Sequence, residues 1–451
     1  MKKHVLGVLA LAAFVGAGCK PEAGTDLLGA GSSSSTVAKS QKQRATAPVV
    51  DESELRQLVG GNTGFALALY QVIRESEDNL FYSPYSISVA LAMTYAGARG
   101  ATAEQMADTL HFTLPEKRLH PAFNKLDLEL ASRAKDEQDK ESRGFSVSGQ
   151  GKNGKGFQLN IANAIWGQVD RSFLPEFLNT LAENYGAGMR LVDFRTAWEK
   201  ARVTINDWVT KETEGKIRDL LPPGTVNALT RLVLTNAIYF NAAWKHPFEE
   251  QVTRDGDFHL LEDGKVTVPM MAQTENFGYA KGEGYEAVEL PYEGHELSMV
   301  IMAPEKGEFK GFEQSLDTQR LAGILGNLKS VKVALTMPKF EYESTLGLNE
   351  TLKKLGMADA FDERADFSGM DGTRWLFISD VLHKAFVSVD EEGTEAAAAT
   401  AVVMALTSAR VPKIIELKID RPFIFVIRDI KTGAVLFVGR VINPSKKLTP
   451  H

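Results

Sequence analysis

The residue patterns that most often carry enzymatic or metal chemistry are largely missing from this sequence. The glycines of 149–154 match the spacing of a dinucleotide-binding turn, but that turn needs a strand before it and a helix after it to aim amides at a pyrophosphate. Neither is predicted there, so we interpret the segment as a surface loop. No HExxH or nucleophile-elbow sequence occurs, and the eight histidines show no metal-ligand spacing. We expect no enzymatic activity, no bound metal and no cofactor.

The only cysteine, Cys19, lies at the end of an export signal. Two lysines precede an apolar run from Val5 to Val15, and small residues lead from there into Cys19. The run is short for a bilayer span, so an anchor helix is the less favoured alternative. The small residues resemble the lipobox of bacterial lipoproteins, in which the thiol is lipidated and the signal removed just before it. We predict a signal peptide over 1–19 and an exported protein, which is either lipid-anchored or free in the periplasm or medium.

Residues 20–54 are rich in Gly, Ser, Ala, Thr and Lys, and carry few large apolar side chains. Such a composition cannot repay the entropy of ordering, so we predict a flexible tether. No internal repeat or interior linker is visible after it, and we therefore expect one domain over 55–446 and a monomer.

Charge and hydropathy exclude two classes of partner. The formal net charge is −7, and Lys and Arg are scattered along the chain, so the basic patch expected of a nucleic-acid-binding protein is missing. No apolar stretch after the signal reaches membrane-spanning length. A lipid on Cys19 is then the only predicted attachment to a membrane.

A long, weakly polar segment from Asp390 to Pro412 lies between two predicted strands. Long loops of this kind are usually functional or disordered, and this one lacks the charge of a disordered linker. Its alanines leave a short surface helix as an alternative. Alternate residues nevertheless form one small or apolar face, with Glu395 on the other, and no proline interrupts the run. The segment could therefore become a central strand of a sheet. The residues of that face are Thr394, Ala396, Ala398, Thr400, Val402, Met404 and Leu406.

Helices dominate the front of the chain and strands the back, which favours an α+β domain over a doubly wound sheet. Helical spacing is predicted over 55–73, 84–93, from about 102, 119–134, 174–185 and 197–213, with a charged, Gly-rich surface loop over 135–156. Strands are predicted over 157–168, 229–240, 288–290, 297–303, 332–338, 385–389, 414–419, 423–428 and 435–441, with helices near 312–325 and 348–355.

The segment Glu391-Glu-Gly-Thr-Glu-Ala-Ala-Ala-Ala-Thr400 closely resembles the hinge of inhibitory serpins, and the resemblance runs from about Leu55 to Pro444. It implies the serpin fold, in which helices pack on a large mixed sheet A with two smaller sheets and expose a reactive-centre loop, here 391–412. Further matching motifs occur in the family's order: Phe81-Tyr-Ser-Pro-Tyr-Ser86, Leu234-Thr-Asn-Ala-Ile-Tyr-Phe240, Leu290-Pro-Tyr292, Met337-Pro-Lys-Phe340, Ile419-Asp-Arg-Pro-Phe-Ile-Phe425 and Phe437-Val-Gly-Arg-Val-Ile-Asn-Pro444.

The resemblance implies a suicide-substrate mechanism. A serine protease attacks the loop, an acyl-enzyme forms, and the cleaved loop inserts into sheet A before deacylation. Gly393 would supply freedom where the loop bends, and Thr394 would enter the sheet first. The implied hinge residues are Glu391, Gly393, Thr394, Glu395, Ala396, Ala397, Ala398, Ala399 and Thr400. The positions matching the shutter beneath the opening strands and the breach at their top are Ser83, Ser86, Asn236, His383 and Trp244, each of which could instead be an ordinary buried side chain.

Counting from Gly393 in the family's register puts the cut bond between Thr407 and Ser408. A small residue before the cut suits elastase-like proteases, whereas Leu406 would suit chymotrypsin-like or subtilisin-like ones and Arg410 trypsin-like ones. A cysteine protease is a further option. We expect no heparin-type activation, because the helix over 119–134 mixes acids with few bases.

Two rival interpretations remain open at this point. A non-inhibitory serpin, acting as a carrier or chaperone, would have bulky, charged or proline residues where the hinge enters the sheet. The inward face of this hinge, from Thr394 to Thr400, has none, which favours inhibition. An exported hydrolase would need a nucleophile paired with a base, and loss of activity on changing one Ser or His would identify it.

Overall fold

The computed structural model describes residues 35–141, 158–394 and 414–446. Its helices agree with most of the predicted ones, although the predicted 312–325 helix divides into two. The helices are α1 (Glu52–Ile73), α2 (Pro84–Tyr95), α3 (Gly100–Thr109), α4 (Glu116–Glu141), α5 (Pro175–Tyr185), α6 (Trp198–Glu212), α7 (Phe309–Gln314), α8 (Thr318–Gly326), α9 (Asn349–Leu355) and α10 (Ser368–Asp371).

The strands include every predicted one and several that the pattern did not reveal. The strands are β1 (Thr36–Ala38), β2 (Leu80–Tyr82), β3 (Gln158–Gln168), β4 (Met189–Val192), β5 (Leu232–Ala243), β6 (Arg254–His259), β7 (Lys265–Gly282), β8 (Tyr285–Pro291), β9 (Leu297–Pro304), β10 (Lys329–Pro338), β11 (Phe340–Gly347), β12 (Ile378–Val389), β13 (Gly393–Thr394), β14 (Ile415–Lys418), β15 (Phe423–Asp429) and β16 (Val435–Val441).

Seven strands form sheet A, in the order β1-β4-β3-β5-β13-β12-β11. At its centre β5 and β12 run parallel and pair directly from Leu232 and Ile378 up to Tyr239 and Phe386. Above that point the short strand β13 lies between them and pairs antiparallel with both. β5 and β12 are thus paired directly as far as Tyr239 and Phe386. Beyond these residues, at the end of the sheet that we call its top, β13 separates them.

The two smaller sheets expected from the resemblance are joined into one nine-stranded sheet. The join is the long strand β7, which pairs with β6 over 265–270, with β10 over 270–279 and with β8 over 278–282. We call this the second sheet. Its strands β9, β15 and β16 are buried along nearly their whole length.

Helix α2 lies between the two sheets and contacts β3, β5 and β16. It is buried on all sides, as expected of a helix that is apolar around its circumference. Ser83 caps its first turn by accepting a hydrogen bond from the amide of Ser86 (3.1 Å), and Pro84 occupies the first helical position. The start of this helix therefore brings two of the predicted site serines under sheet A.

Two of the predicted boundaries were wrong. Helix α4 continues to Glu141, so residues 135–141 are helical and not part of a surface loop. These residues are all Lys, Asp, Glu or Gln, of which Lys, Glu and Gln are strong helix formers. The tether predicted over 20–54 is ordered from residue 35, where backbone and charged groups bond to the domain, and α1 begins at Glu52. The prediction weighed apolar side chains alone and missed these polar contacts. The first part of the tether and the 149–154 glycines lie outside the described residues.

None of the helices in the described ranges is both long enough and apolar enough to cross a bilayer.

Candidate functional site

The hinge of the loop enters sheet A as strand β13. Gly393 pairs with Ala243 of β5, and Thr394 pairs with Ala242 of β5 and Val389 of β12. Thr394 is fully buried. The backbone has therefore taken the first step of a central strand between β5 and β12.

The hydroxyl of Thr394 is hydrogen-bonded to the phenol of Tyr292, at 2.7 Å. Tyr292 is itself fully buried, and burial raises the pKa of its phenol well above the ordinary value. The two hydroxyl groups are therefore neutral, and Tyr292 supplies no negative charge next to position 394. A cationic side chain at position 394 would lose water without gaining an ionic partner there.

Gly393 is required by a close approach of two backbones. A Cβ added to it would lie 2.2 Å from the carbonyl oxygen of Ala242 and 2.8 Å from the Cα of Ala243. Its φ is not in the left-handed region. Gly393 was predicted to supply freedom to bend, whereas in the structure any side chain here would push β13 away from β5.

Glu391 fastens the start of the hinge to the body of the domain. Its carboxylate is nearly buried and accepts hydrogen bonds from Lys339 Nζ and from the hydroxyl of Thr253 (2.7 Å). Burial alone would raise the pKa of Glu391, but these two donors hold it below its ordinary value. Its own carbonyl accepts from the amide of Phe248 at 2.7 Å. An ionised, hydrogen-bonded carboxylate therefore fixes the chain just before it enters sheet A as β13.

Trp244 covers the point where β13 enters. Its ring stacks on Tyr292, with centroids 4.6 Å apart and planes within 8° of parallel. Its indole N–H donates to the carbonyl of Asp390 (3.0 Å), and its amide donates to the carbonyl of Glu392 (2.8 Å). Trp244 thus holds both sides of the chain reversal that leads into the hinge, Asp390 through its indole and Glu392 through its backbone amide.

The four predicted shutter residues lie together, fully buried, beneath the parallel pairing of β5 and β12. Asn236 on β5 is in register with His383 on β12. The amide of Ser83 donates to His383 Nε2 (3.2 Å), so the other ring nitrogen, Nδ1, carries the proton and donates to Asn236 Oδ1. Burial lowers the pKa of His383 to about 3, so the ring is neutral at ordinary pH. Separation of β5 from β12 must break this bond.

The network extends to Asn163 on β3, which the sequence argument missed. Asn236 Nδ2 donates to the Ser86 hydroxyl (2.7 Å) and to Asn163 Oδ1 (2.5 Å). Asn163 in turn donates to the carbonyl of Ser86 at 3.1 Å. Hydrogen bonds therefore connect β3, β5, β12 and α2 beneath the line where β5 pairs with β12, which we call the seam. Lys339 and Tyr292 were also not singled out, although both lie in motifs that carried the resemblance.

The remaining predicted site residues lie outside the described part of the chain. These are the distal hinge residues Glu395, Ala396, Ala397, Ala398, Ala399 and Thr400, the candidate bait residues Leu406, Thr407, Ser408 and Arg410, and the predicted lipid-bearing Cys19. Within the described ranges, no group of three or more His, Cys, Asp or Glu side chains could hold a metal ion.

The family model described as Serpin (serine protease inhibitor) matches residues 60–444. Leukocyte elastase inhibitor A of Rattus norvegicus is 41% identical over 402 residues, covering 86% of this chain and all of that protein. An uncharacterized serpin-like protein of Thermococcus kodakarensis is 39% identical over 399 residues, covering 88% of each chain.

Solved structures show the same fold. Uncleaved ovalbumin superposes with a TM-score of 0.73 at 27% identity, covering 86% of this chain and 100% of that one. Serpin48 of Tenebrio molitor superposes with a TM-score of 0.71 at 32% identity, covering 88% of this chain and 99% of that one. These matches establish that the chain belongs to the serpin family, a family of protease inhibitors and not of enzymes.

Proposed function

We propose that this serpin inhibits serine proteases as a suicide substrate: the protease cleaves the loop, and the loop inserts into sheet A while the acyl-enzyme is intact. The observation that carries the proposal is the buried position of Thr394 between β5 and β12. Because the first residues of the inserted strand already pair with β5 and β12, further loop residues can add to this strand without a separate nucleation step. The relatives named leukocyte elastase inhibitors support a serine protease as the target.

Insertion would replace one parallel pairing by two antiparallel ones. β5 and β12 now pair in parallel, and antiparallel ladders are slightly more stable per residue. The inserted strand would also gain backbone hydrogen bonds, each worth about 1 kcal/mol net, and would bury Val402, Met404 and Leu406. We infer that the intact protein is metastable and that this gain does the work of trapping the protease.

The register of the inserted strand follows from the pairings that β13 already makes. Thr394 lies opposite Ala242 on β5 and Val389 on β12. Both strands run antiparallel to β13, so each later loop residue would meet an earlier residue on either side. Continued in this way, Thr407 would lie opposite Leu229, just before β5 begins. A loop cut after Thr407 therefore matches the length of the groove.

The same register puts Thr400 at the shutter. It would lie opposite Asn236 on one side and His383 on the other, on the same face as Thr394. Its hydroxyl could accept from the His383 ring and donate to the Asn236 side chain. We infer that Thr400 replaces the hydrogen bond that insertion breaks, so that no buried polar group is left without a partner.

We expect a panel of elastase, chymotrypsin, subtilisin, trypsin and papain to yield complexes that survive denaturing gels, with elastase the best target. Mass spectrometry of the released C-terminal fragment should find that it begins at Ser408. Leu406 is the alternative bait for chymotrypsin-like or subtilisin-like enzymes. Cutting after Arg410 should give hydrolysis without trapping, because the three extra residues would extend still further beyond Leu232, where β5 begins. A stable complex whose fragment begins at Val411 would overturn this register.

We also propose that the mature chain is exported and begins at a lipidated Cys19. Replacement of Cys19 by Ser should abolish incorporation of labelled fatty acid and move the protein from the membrane to the soluble fraction. Protease inhibition should be unchanged, because Cys19 precedes the domain. Wild-type protein that is wholly soluble with a free thiol would show simple secretion instead.

A further inference from the structure

Residues 35–46, which we call the strap, run across an edge of the domain outside the family match, which starts at residue 60. Strand β1 of the strap extends sheet A by pairing antiparallel with β4, with Val37 opposite Arg190. Further along, the hydroxyl of Ser40 donates to Asn179 of α5 (2.5 Å). The amide of Ala45 donates to the carbonyl of Glu183 (2.9 Å).

The strap also binds helix α4. Arg44 forms an ion pair with Asp127 (2.6 Å) and donates from Nε to Asn124 Oδ1 (2.8 Å). Asn124 is fully buried and donates to the carbonyl of Ala45 at 2.7 Å. The strap thus provides hydrogen-bond partners for both the oxygen and the nitrogen of the buried Asn124 amide, which indicates a specific binding site for the strap.

The edge of the domain is shaped for the strap at Gly188, just before β4. The three atoms nearest to a Cβ added there all belong to the strap: the carbonyl oxygen of Ala38 at 2.6 Å, a carbon of Lys39 at 2.7 Å and one of Val37 at 3.0 Å. The φ of Gly188 is outside the left-handed region, so its backbone could carry a side chain. The glycine is therefore needed for the approach of the strap.

The strap joins two parts of the molecule that insertion must move apart. For a strand to enter between β5 and β12, the half-sheet β1-β4-β3-β5 must shift relative to β12-β11 by about one strand spacing, ~4.8 Å. Helix α4 is bonded instead to the second sheet, where Arg133 donates to the buried Asp429 of β15 (3.1 Å). The strap is bonded to β4 at one end and to α4 at the other.

We propose that the strap is a brake on the opening of sheet A, which holds the intact protein in its uninserted form and lowers the rate of loop insertion. This rests on the proposed function, since it presupposes that the loop inserts. A shift of β4 relative to α4 must break either the β1–β4 pairing or the Arg44 contacts. Release of the strap therefore removes bonds that oppose opening.

The test is a Gly188→Val variant, which displaces the strap without altering it, compared with Gly347→Val. Gly347 lies in β11 of the same sheet, and a Cβ there meets nothing within 4 Å. We measure, without protease, the rate at which intact protein converts on mild warming to a heat-resistant form, and the rate at which a synthetic peptide of the 394–406 sequence binds. Gly188→Val should raise both rates on the order of tenfold, the effect of losing one or two net hydrogen bonds, whereas Gly347→Val should match wild type.

Arg44→Ala provides a second variant should Gly188→Val fail to fold. Its control is Lys265→Ala, which removes the Lys265–Asp257 ion pair of the second sheet (2.6 Å). If both strap variants insert at the wild-type rate and merely lower the melting temperatures of intact and cleaved protein equally, the strap only covers an edge strand and the proposal is wrong. Failure of wild type itself to gain heat resistance on loop cleavage would instead refute the insertion mechanism.

Discussion

Replacement of Thr394 by Arg is expected to convert the inhibitor into a substrate. Thr394 is fully buried between β5 and β12, and its polar partner is the neutral phenol of Tyr292. A guanidinium there would gain no counter-charge from Tyr292, and burial of an uncompensated charge costs several kcal/mol. Each 1.4 kcal/mol added to the insertion barrier slows insertion about tenfold. Deacylation then precedes insertion, and the protease is released.

The measurement is the stoichiometry of inhibition, the number of serpin molecules consumed for each protease trapped. It should rise at least about tenfold for Thr394→Arg, with cleaved serpin accumulating on denaturing gels. Thr394→Ser keeps the hydroxyl and should remain an inhibitor. Glu395→Arg is the matched charge control, since alternation puts residue 395 on the opposite face, and its stoichiometry should change little. An unchanged stoichiometry in Thr394→Arg would contradict insertion as the trapping step.

Cleavage of the loop alone should produce the largest change in stability. Protein cut after Thr407 can complete the strand that β13 begins, gaining antiparallel hydrogen bonds on both sides and the burial of Val402, Met404 and Leu406. Buried side chains of this size are worth about 1.5–3 kcal/mol each relative to exposure, and hydrogen bonds about 1 kcal/mol each. In a domain of this size we expect a rise in melting temperature of about 20 °C or more.

Scanning calorimetry of intact and cleaved protein measures this difference directly. Cleaved Thr394→Arg provides the control, because its hinge cannot seat and it should gain much less than cleaved wild type. A carrier or chaperone that kept the fold without the trap would melt at nearly the same temperature before and after cleavage. Equal melting temperatures for wild type would therefore favour the non-inhibitory alternative.

Local sequence was sufficient for much of the fold and for part of the site. Helical and strand periodicity predicted the helices α1 to α6 and the buried strands β5, β15 and β16 within a few residues, except for the end of α4. The short strand β4 and the long strand β7 were missed, because buried and exposed side chains alternate only weakly along them. The residues predicted for the shutter and the breach do lie near the seam. Ser83, Ser86, Asn236 and His383 lie beneath it, and Trp244 lies at its top.

The sequence by itself determined which residues alternate toward the sheet from Thr394 onward and that no proline or bulky charge blocks them. Only the tertiary structure decided what they meet: Tyr292 lies 102 residues from Thr394, and Asn163 lies 77 from Ser86. It also decided that residues 35–46 are ordered, since their composition predicts a tether. The physical reason is that alternation is local, whereas strand register, the burial of polar side chains and the capture of a segment by the unpaired backbone of an edge strand depend on residues distant in the chain.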